Sequence, residues 1–389
     1  MAIRVLKYGG SSLANTDFIK SIAAQIKKDK AAGDEIVLVV SAMGSSTNEL
    51  IDKAASISRH PDRRELDMLI STGERVSMSL MSMALNDIGV KAISFTGSQA
   101  GILTTNSHTG ANIIEVKAFR VKEALEQGKV VVLAGFQGVC PETKEITTLG
   151  RGGTDTTAVA MADFLNAGTC EMYKDVDGVF NADPKLYDKA KKMNQLSYNQ
   201  LLSMCEAGAK VVHPKAVKLA KEKGIKLLVK KAHDENSAGS LISANSHASQ
   251  QAFALNHSPC VYEFQWLNKN SESNDHIHSE LQKHLLAWNF PDLQILDIYQ
   301  DKDQQKFLLR GTDSNLDFFV RALADDSKIK LLRSDLSELS LSFSTPQNLQ
   351  DTKFVGLYRY RKSALDHYFV IERNYTQNII DKHLIQYLN

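Results

Sequence analysis

Short runs of mostly apolar residues alternate with longer stretches of helical period over the first 240 residues of the chain. Residues 3–8, 35–40, 129–134 and 225–229 predict strands, three of them apolar enough to be buried on both faces. Residues 18–30, 64–87, 113–127, 154–165 and 214–222 predict helices, the last with Pro214 suited to its first turn. Strands alternating with helices imply a mainly parallel sheet covered on both faces, an α/β layered fold. Such folds bind ligands beyond the C-terminal ends of the strands.

The pattern changes later in the chain. Of 22 glycines, 20 lie at or before Gly239, whereas Trp266 and Trp288 both fall after it. The Ser/Ala/Asn/His-rich stretch 236–250 therefore reads as a linker between domains 1–243 and 244–389. Beyond it, helical stretches at 276–288, 316–324 and 376–388 are separated by candidate strands, one with Leu336, Leu339, Leu341 and Phe343 in partial alternation. That is an α+β pattern, open between two small modules and one larger one.

Charge and cysteine content narrow the function. With 46 basic and 45 acidic residues the net charge is +1, so no long-range field draws in nucleic acid or an acidic membrane. No apolar run approaches the roughly 20 residues that span a bilayer. Cys140, Cys170, Cys205 and Cys260 are too widely spaced for a disulfide framework or a metal knuckle, and read as reduced thiols of a cytoplasmic protein.

Candidate chemistry gathers at strand ends. Lys7-Tyr8-Gly9-Gly10-Ser11-Ser12 closes the first strand, where paired glycines let phosphate oxygens reach backbone amides and Lys7 adds a fixed positive charge. Gly150-Arg151-Gly152-Gly153-Thr154-Asp155 places a second glycine turn at the start of an apolar helix, with Arg151 able to grip an anion through two parallel hydrogen bonds. Ser41-Ala42-Met43-Gly44-Ser45-Ser46-Thr47-Asn48 follows the second strand, and Ser71-Thr72-Gly73-Glu74 lies inside or at a break in the long helical stretch. His213 reads as structural.

These motifs occur in order with Ser94-Phe95-Thr96-Gly97, Asp175-Val176-Asp177-Gly178 and Gly208-Ala209-Lys210. Residues 1–243 thereby resemble the aspartate kinases of the amino-acid kinase superfamily. The resemblance implies a three-layer αβα sandwich followed by a smaller, degenerate ACT-like α+β region that dimerises; the family's glycine- and asparagine-bearing effector loop is not recognisable there, so amino-acid feedback is expected to be lost or changed. It implies transfer of the γ-phosphoryl group of ATP, with Mg²⁺ carried by the nucleotide and no protein-held metal, to the β-carboxylate of L-aspartate. Amino-acid biosynthesis toward lysine, threonine and methionine would follow. Lys7 would stabilise the transferring phosphoryl group, with Asp155 orienting the lysines. Thr47, Glu74, Arg151 and Thr154 would hold the amino acid. Lys7, Gly9, Gly10, Ser11, Lys174, Asp175, Phe180, Lys185 and Lys210 would hold the nucleotide, although Lys174, Phe180 and Lys185 depart from the family's usual Thr, Tyr and Arg. The alternatives are a catalytically silent regulatory homologue and a related kinase for another small amino-acid carboxylate.

Overall fold

The computed structural model describes residues 3–58, 61–185, 187–206, 208–244, 252–267, 273–287, 293–301, 304–311, 316, 329–343, 357–362, 366–372 and 376. The chain divides into two compact units, Met1–Val179 with Lys192–Cys205 and Lys210–His247, and Phe180–Lys191 with Glu206–Ala209 and Ala248–Asn389.

In the first unit, β1 (Ile3–Tyr8) is followed by α1 (Thr16–Ala31), which buries Ile19, Ile22, Ala23 and Ile26 at helical spacing. Asn15 caps α1 by accepting a hydrogen bond from the Phe18 amide. Next come β2 (Glu35–Val40), α2 (Ser46–Ile57), α3 (Arg63–Ile70) and α4 (Thr72–Asp87). The single helix expected over 64–87 is thus two, joined at Ser71, with Asp62 capping α3. After β3 (Ala92–Phe95) and β4 (Ile102–Thr104), the expected helix over 113–127 begins instead as β5 (Ile113–Val116) and becomes helical only in α5 (Phe119–Glu126). Ile113, Ile114 and Val116 are β-branched, and pairing with β4 overrides the helical period there.

The unit continues through β6 (Val130–Ala134), β7 (Gln137–Val139), β8 (Ile146–Thr148), α6 (Gly153–Phe164) and β9 (Thr169–Lys174). Helix α6 is buried nearly all round, its Ala158, Ala160 and Ala162 permitting close approach. Past β10 (Val179–Phe180), β11 (Lys192–Met193), β12 (Gln195–Ser197), α7 (Tyr198–Glu206) and α8 (Pro214–Lys223) lie β13 (Lys226–Lys231) and β14 (Ser240–Ser243). The main sheet runs β12-β14-β13-β9-β1-β2-β6-β3, parallel except for the antiparallel β13–β14 pair. Strand β14 lies within the expected linker 236–250. Gly239, at φ +70°, turns the chain back so tightly that a Cβ there would lie 2.2 Å from the Val229 carbonyl oxygen. A smaller sheet, β5-β4-β7-β8, completes the unit.

The second unit contains β15 (Ala252–Trp266), α9 (Asn274–Ala287), β16 (Gln294–Asp301), β17 (Gln304–Arg310), β18 (Ile329–Phe343), β19 (Leu357–Lys362) and β20 (Asp366–Glu372). These strands form one antiparallel sheet, β16-β17-β15-β18-β20-β19, centred on the two 15-residue strands β15 and β18. One core cluster joins Ile277 and Leu281 of α9 with Phe264, Phe307 and Leu309, and the Phe264 and Phe307 rings stack at 5.2 Å. The helices expected at 316–324 and 376–388 lie outside the described residues except for Leu316 and Thr376, as does Trp288 at the end of the 276–288 stretch.

Candidate active site

The C-terminal ends of β1, β2, β6 and β9 are drawn together by backbone hydrogen bonds and close contacts. The Ser41 amide donates to Tyr8 and the Gly44 amide to Gly10, while the Gly135 amide donates to Val40. Gly10 cannot carry a side chain: a Cβ would lie 2.9 Å from the Ala42 carbonyl oxygen and 3.0 Å from that of Gly44. At Gly135, just after β6, a Cβ would meet the Thr154 methyl carbon at 2.5 Å. Glycine at these exits therefore brings the loop after β1 against the loop after β2, and the end of β6 against α6.

Within that frame Lys7 and Asp155 form a buried ion pair, Nζ to Oδ1 at 2.7 Å. Lys7 comes from the last turn of the pleat in β1 and Asp155 from the first turn of α6, where the helix dipole favours an anion. The other Asp155 oxygen lies 3.5 Å from Lys174 Nζ at the end of β9 and accepts from the His213 amide at 3.2 Å. Burial pulls the Lys7 ammonium down to about 8, against the attraction of Asp155 and with the repulsion of Lys174. For Asp155 burial acts upward, but Lys174 and Lys7 prevail and hold the carboxyl well below the usual range. The site thus keeps one carboxylate between two cations, leaving one surplus positive charge at a glycine-lined exit.

Glu74, in the first turn of α4, is 3% exposed. Its Oε1 accepts from the Ala42 amide at 3.0 Å, whereas Oε2 has no hydrogen-bond partner among the described residues. Burial pushes this carboxyl up to about 8, the Ala42 bond opposing the rise. A buried carboxylate oxygen without a donor is a receptor for a cation. The Ser12 hydroxyl is likewise buried and without a partner among the described residues.

The other expected residues spread outward. Gly9 is buried beside Lys7, and Thr154 is buried against Gly135. Thr47 is half-buried in the first turn of α2; Ser11, Arg151, Asp175 and Lys210 are exposed. Phe180 and Lys185 belong to the second unit, Lys185 exposed with its amide bonded to Asp183. Sequence reasoning missed Gly135, which the end of an apolar strand could have signalled, and the His213 amide on Asp155, which no side-chain motif could. It also missed Asp67, an acid set between Leu66 and Ile70 on the buried side of α3. Among the described residues no group of three or more His, Cys, Asp or Glu could hold a metal ion.

Comparison with known proteins identifies the family. The profile described as "Amino acid kinase family" matches residues 2–231. The aspartokinase of Corynebacterium glutamicum is 47% identical over 245 residues, covering 63% of this chain and 58% of that protein. That of Mycobacterium tuberculosis H37Rv is 48% identical over 235 residues, 60% and 56% of the two chains. The matched stretch thus spans less than two thirds of these relatives. Among solved structures, the aspartate kinase from Synechocystis is 31% identical with a TM-score of 0.57, covering 98% of this chain and 68% of that one. Escherichia coli aspartokinase III, crystallised with aspartate and ADP, shares the fold at TM-score 0.72 and 20% identity, with 98% of each chain covered. With more than half of its length matched and its lysine, acid and glycine exits assembled at one end of a parallel sheet, the chain belongs to the amino acid kinase family.

Proposed function

We propose that this protein transfers the γ-phosphoryl group of ATP to the β-carboxylate of L-aspartate, giving 4-phospho-L-aspartate and ADP. The observation that carries the reading is the Asp155 carboxylate between Lys7 and Lys174 beside the Gly9-Gly10 turn. The similarity to aspartokinases over 235 to 245 residues supports the substrate.

The chemistry needs no general base, because a β-carboxylate with a pKa near 4 is already an anion at neutral pH. One of its oxygens forms a bond to the γ-phosphorus as the bond to the β,γ-bridging oxygen breaks, and ADP leaves with that electron pair. The difficulty is bringing an anion to a polyanion, which cations and aimed amides resolve. Lys7 neutralises charge on the transferring group, the Gly9 and Gly10 amides and Ser11 receive phosphate oxygens, and Asp155 fixes the two lysine heads. Glu74 takes the substrate ammonium on its open oxygen and Arg151 its α-carboxylate, with Thr47 and Thr154 as hydrogen-bonding neighbours. Lys174, Asp175, Phe180, Lys185 and Lys210 serve the nucleotide, and Mg²⁺ carried by the nucleotide would shield phosphate charge.

Residues 1–243 act in this reading as the catalytic domain and 244–389 as an ACT-like dimerisation region, the protein working as a cytoplasmic homodimer. Among the described residues no helix is long and apolar enough to cross a membrane, and the four cysteines are buried and outside any disulfide. The test is ADP release with hydroxylamine trapping of the acyl phosphate across a panel of amino acids. Aspartate alone should give both signals, and Lys7→Ala should abolish them. Turnover with another carboxylate, or none with any, overturns the proposal.

A further inference from the structure

Asp67 is fully buried on α3 and is saturated with donors from two other segments of the same unit. Thr148 gives it both its hydroxyl, at 2.5 Å, and its amide, at 3.1 Å. The Thr109 amide reaches both carboxylate oxygens at 3.1 and 3.0 Å, and His108 Nδ1 lies 2.9 Å from Oδ2. What these bonds hold is unusual backbone. Thr109 sits at φ +64°, costly for a β-branched residue, and its carbonyl oxygen lies 3.1 Å from where a Cβ on Gly150, at φ +71°, would be. Thr148 ends β8, and three residues later the chain reaches Arg151. On its own side, Asp67 accepts through its carbonyl oxygen from Ser71, the residue joining α3 to α4, and Glu74 follows one turn on. A second tie runs parallel to the first, from Gln137 Nε2 to the Ser71 carbonyl at 2.8 Å, and Gln137 pairs with Thr148 across β7 and β8.

We propose that Asp67 is a positioning residue for the amino-acid site, locking the turn that carries Arg151 to the helix junction that carries Glu74. The proposal rests on the aspartate-kinase reading, in which those two residues hold opposite ends of one zwitterion. A buried polar pair replaced whole by apolar residues of like shape can cost little, but removing the acceptor alone leaves its buried donors unpaired. Here the carboxylate is matched to two amides, a hydroxyl and an imidazole on strained turns, which an apolar side chain cannot hold.

The test compares Asp67→Asn and Thr148→Val with the wild type in the full-length chain. Asparagine keeps the shape but turns an amide group toward donors, and valine removes one hydroxyl bond alone. The KM for aspartate should rise about tenfold or more in Asp67→Asn and about threefold in Thr148→Val, with the KM for ATP within about twofold of wild type. Amide hydrogen exchange should accelerate at 105–112 and 146–153 but not in β1. Joint rises in both KM values, no rise in either, or unchanged exchange in those two segments overturns the proposal. Should Asp67→Asn fail to fold, Thr148→Val decides. Should the wild type ignore aspartate, the functional reading falls, and exchange alone judges the lock.

Discussion

Lys7 Nζ lies 2.7 Å from Asp155 Oδ1 with both side chains only 6% exposed, so each ion is the other's main substitute for water. With Lys7 held near 8, the lysine of the free enzyme loses its proton as the pH rises through that value. The cationic form is the one that can meet phosphate, so kcat/KM for ATP should fall on the basic side with a midpoint near 8. Asp155→Asn removes a charge that favours the ammonium and should move the midpoint to lower pH, with kcat down roughly 100- to 1000-fold. A pH profile whose basic limb stays in place in Asp155→Asn would show that the pair is not coupled.

Glu74 links pH to stability as well. Its carboxyl, raised from 4.5 to about 8, binds more protons in the folded than in the unfolded chain between those values. Stability is therefore lost as the pH rises through that window, by on the order of 4 kcal/mol once it is crossed. Glu74→Gln should melt higher than the wild type at pH 8, with the gap shrinking toward pH 5. The same change should raise the KM for aspartate about a hundredfold, because the buried ammonium loses its counter-ion. Melting curves and aspartate kinetics across pH check both halves. Equal melting temperatures at pH 8 would mean that Glu74 is not held protonated.

The adjacent glycines of the β1 exit should respond differently to the same substitution. At Gly9 a Cβ would lie 3.4 Å from Lys7 Nζ, ordinary contact, whereas at Gly10 it would press on two carbonyl oxygens. Gly10→Ala should cost about 1–3 kcal/mol in stability, and Gly9→Ala much less. Gly9→Ala should still raise the KM for ATP, since a methyl group beside the amide blocks close approach of phosphate. Denaturant melts and ATP titrations separate the two effects; equal destabilisation would contradict the packing described.

The alternation of apolar runs with helical periods made the parallel sheet legible, because strands buried on both faces, such as residues 35–40, have no polar face to obscure them. The glycine exits with Lys7 and Asp155 were legible for a related reason: paired glycines next to charge have few structural uses. Tertiary effects were not. Strand β5 hid in a helical period because its pairing partner β4 lies nine or more residues earlier. Strand β14 hid in a polar stretch because β13 and β12 supply its context. Asp67 showed only as an acid out of phase with its helix, and its donors come from residues 41, 42 and 81 positions away.

The turn into α6 provides the last prediction. Gly152 has φ +70°, and a Cβ there would lie 2.0 Å from the His213 ring, so two separate costs fall on Gly152→Ala. His213 cannot move away freely, because its amide holds Asp155 and its Nδ1 accepts from the Lys215 amide at 3.3 Å as the cap of α8. Burial, the largest influence on His213, holds its imidazole below the ordinary value and so keeps that acceptor neutral. Gly152→Ala should therefore destabilise by about 2–4 kcal/mol and weaken activity through the displaced Asp155. In a His213→Gly background the same change should cost less, since the ring and the His213 Cβ, itself 2.1 Å from the added atom, are both gone and only the backbone penalty of about 1 kcal/mol remains. A double-mutant cycle by denaturant unfolding measures the difference. Strict additivity would mean that the imidazole does not pack over Gly152 in solution.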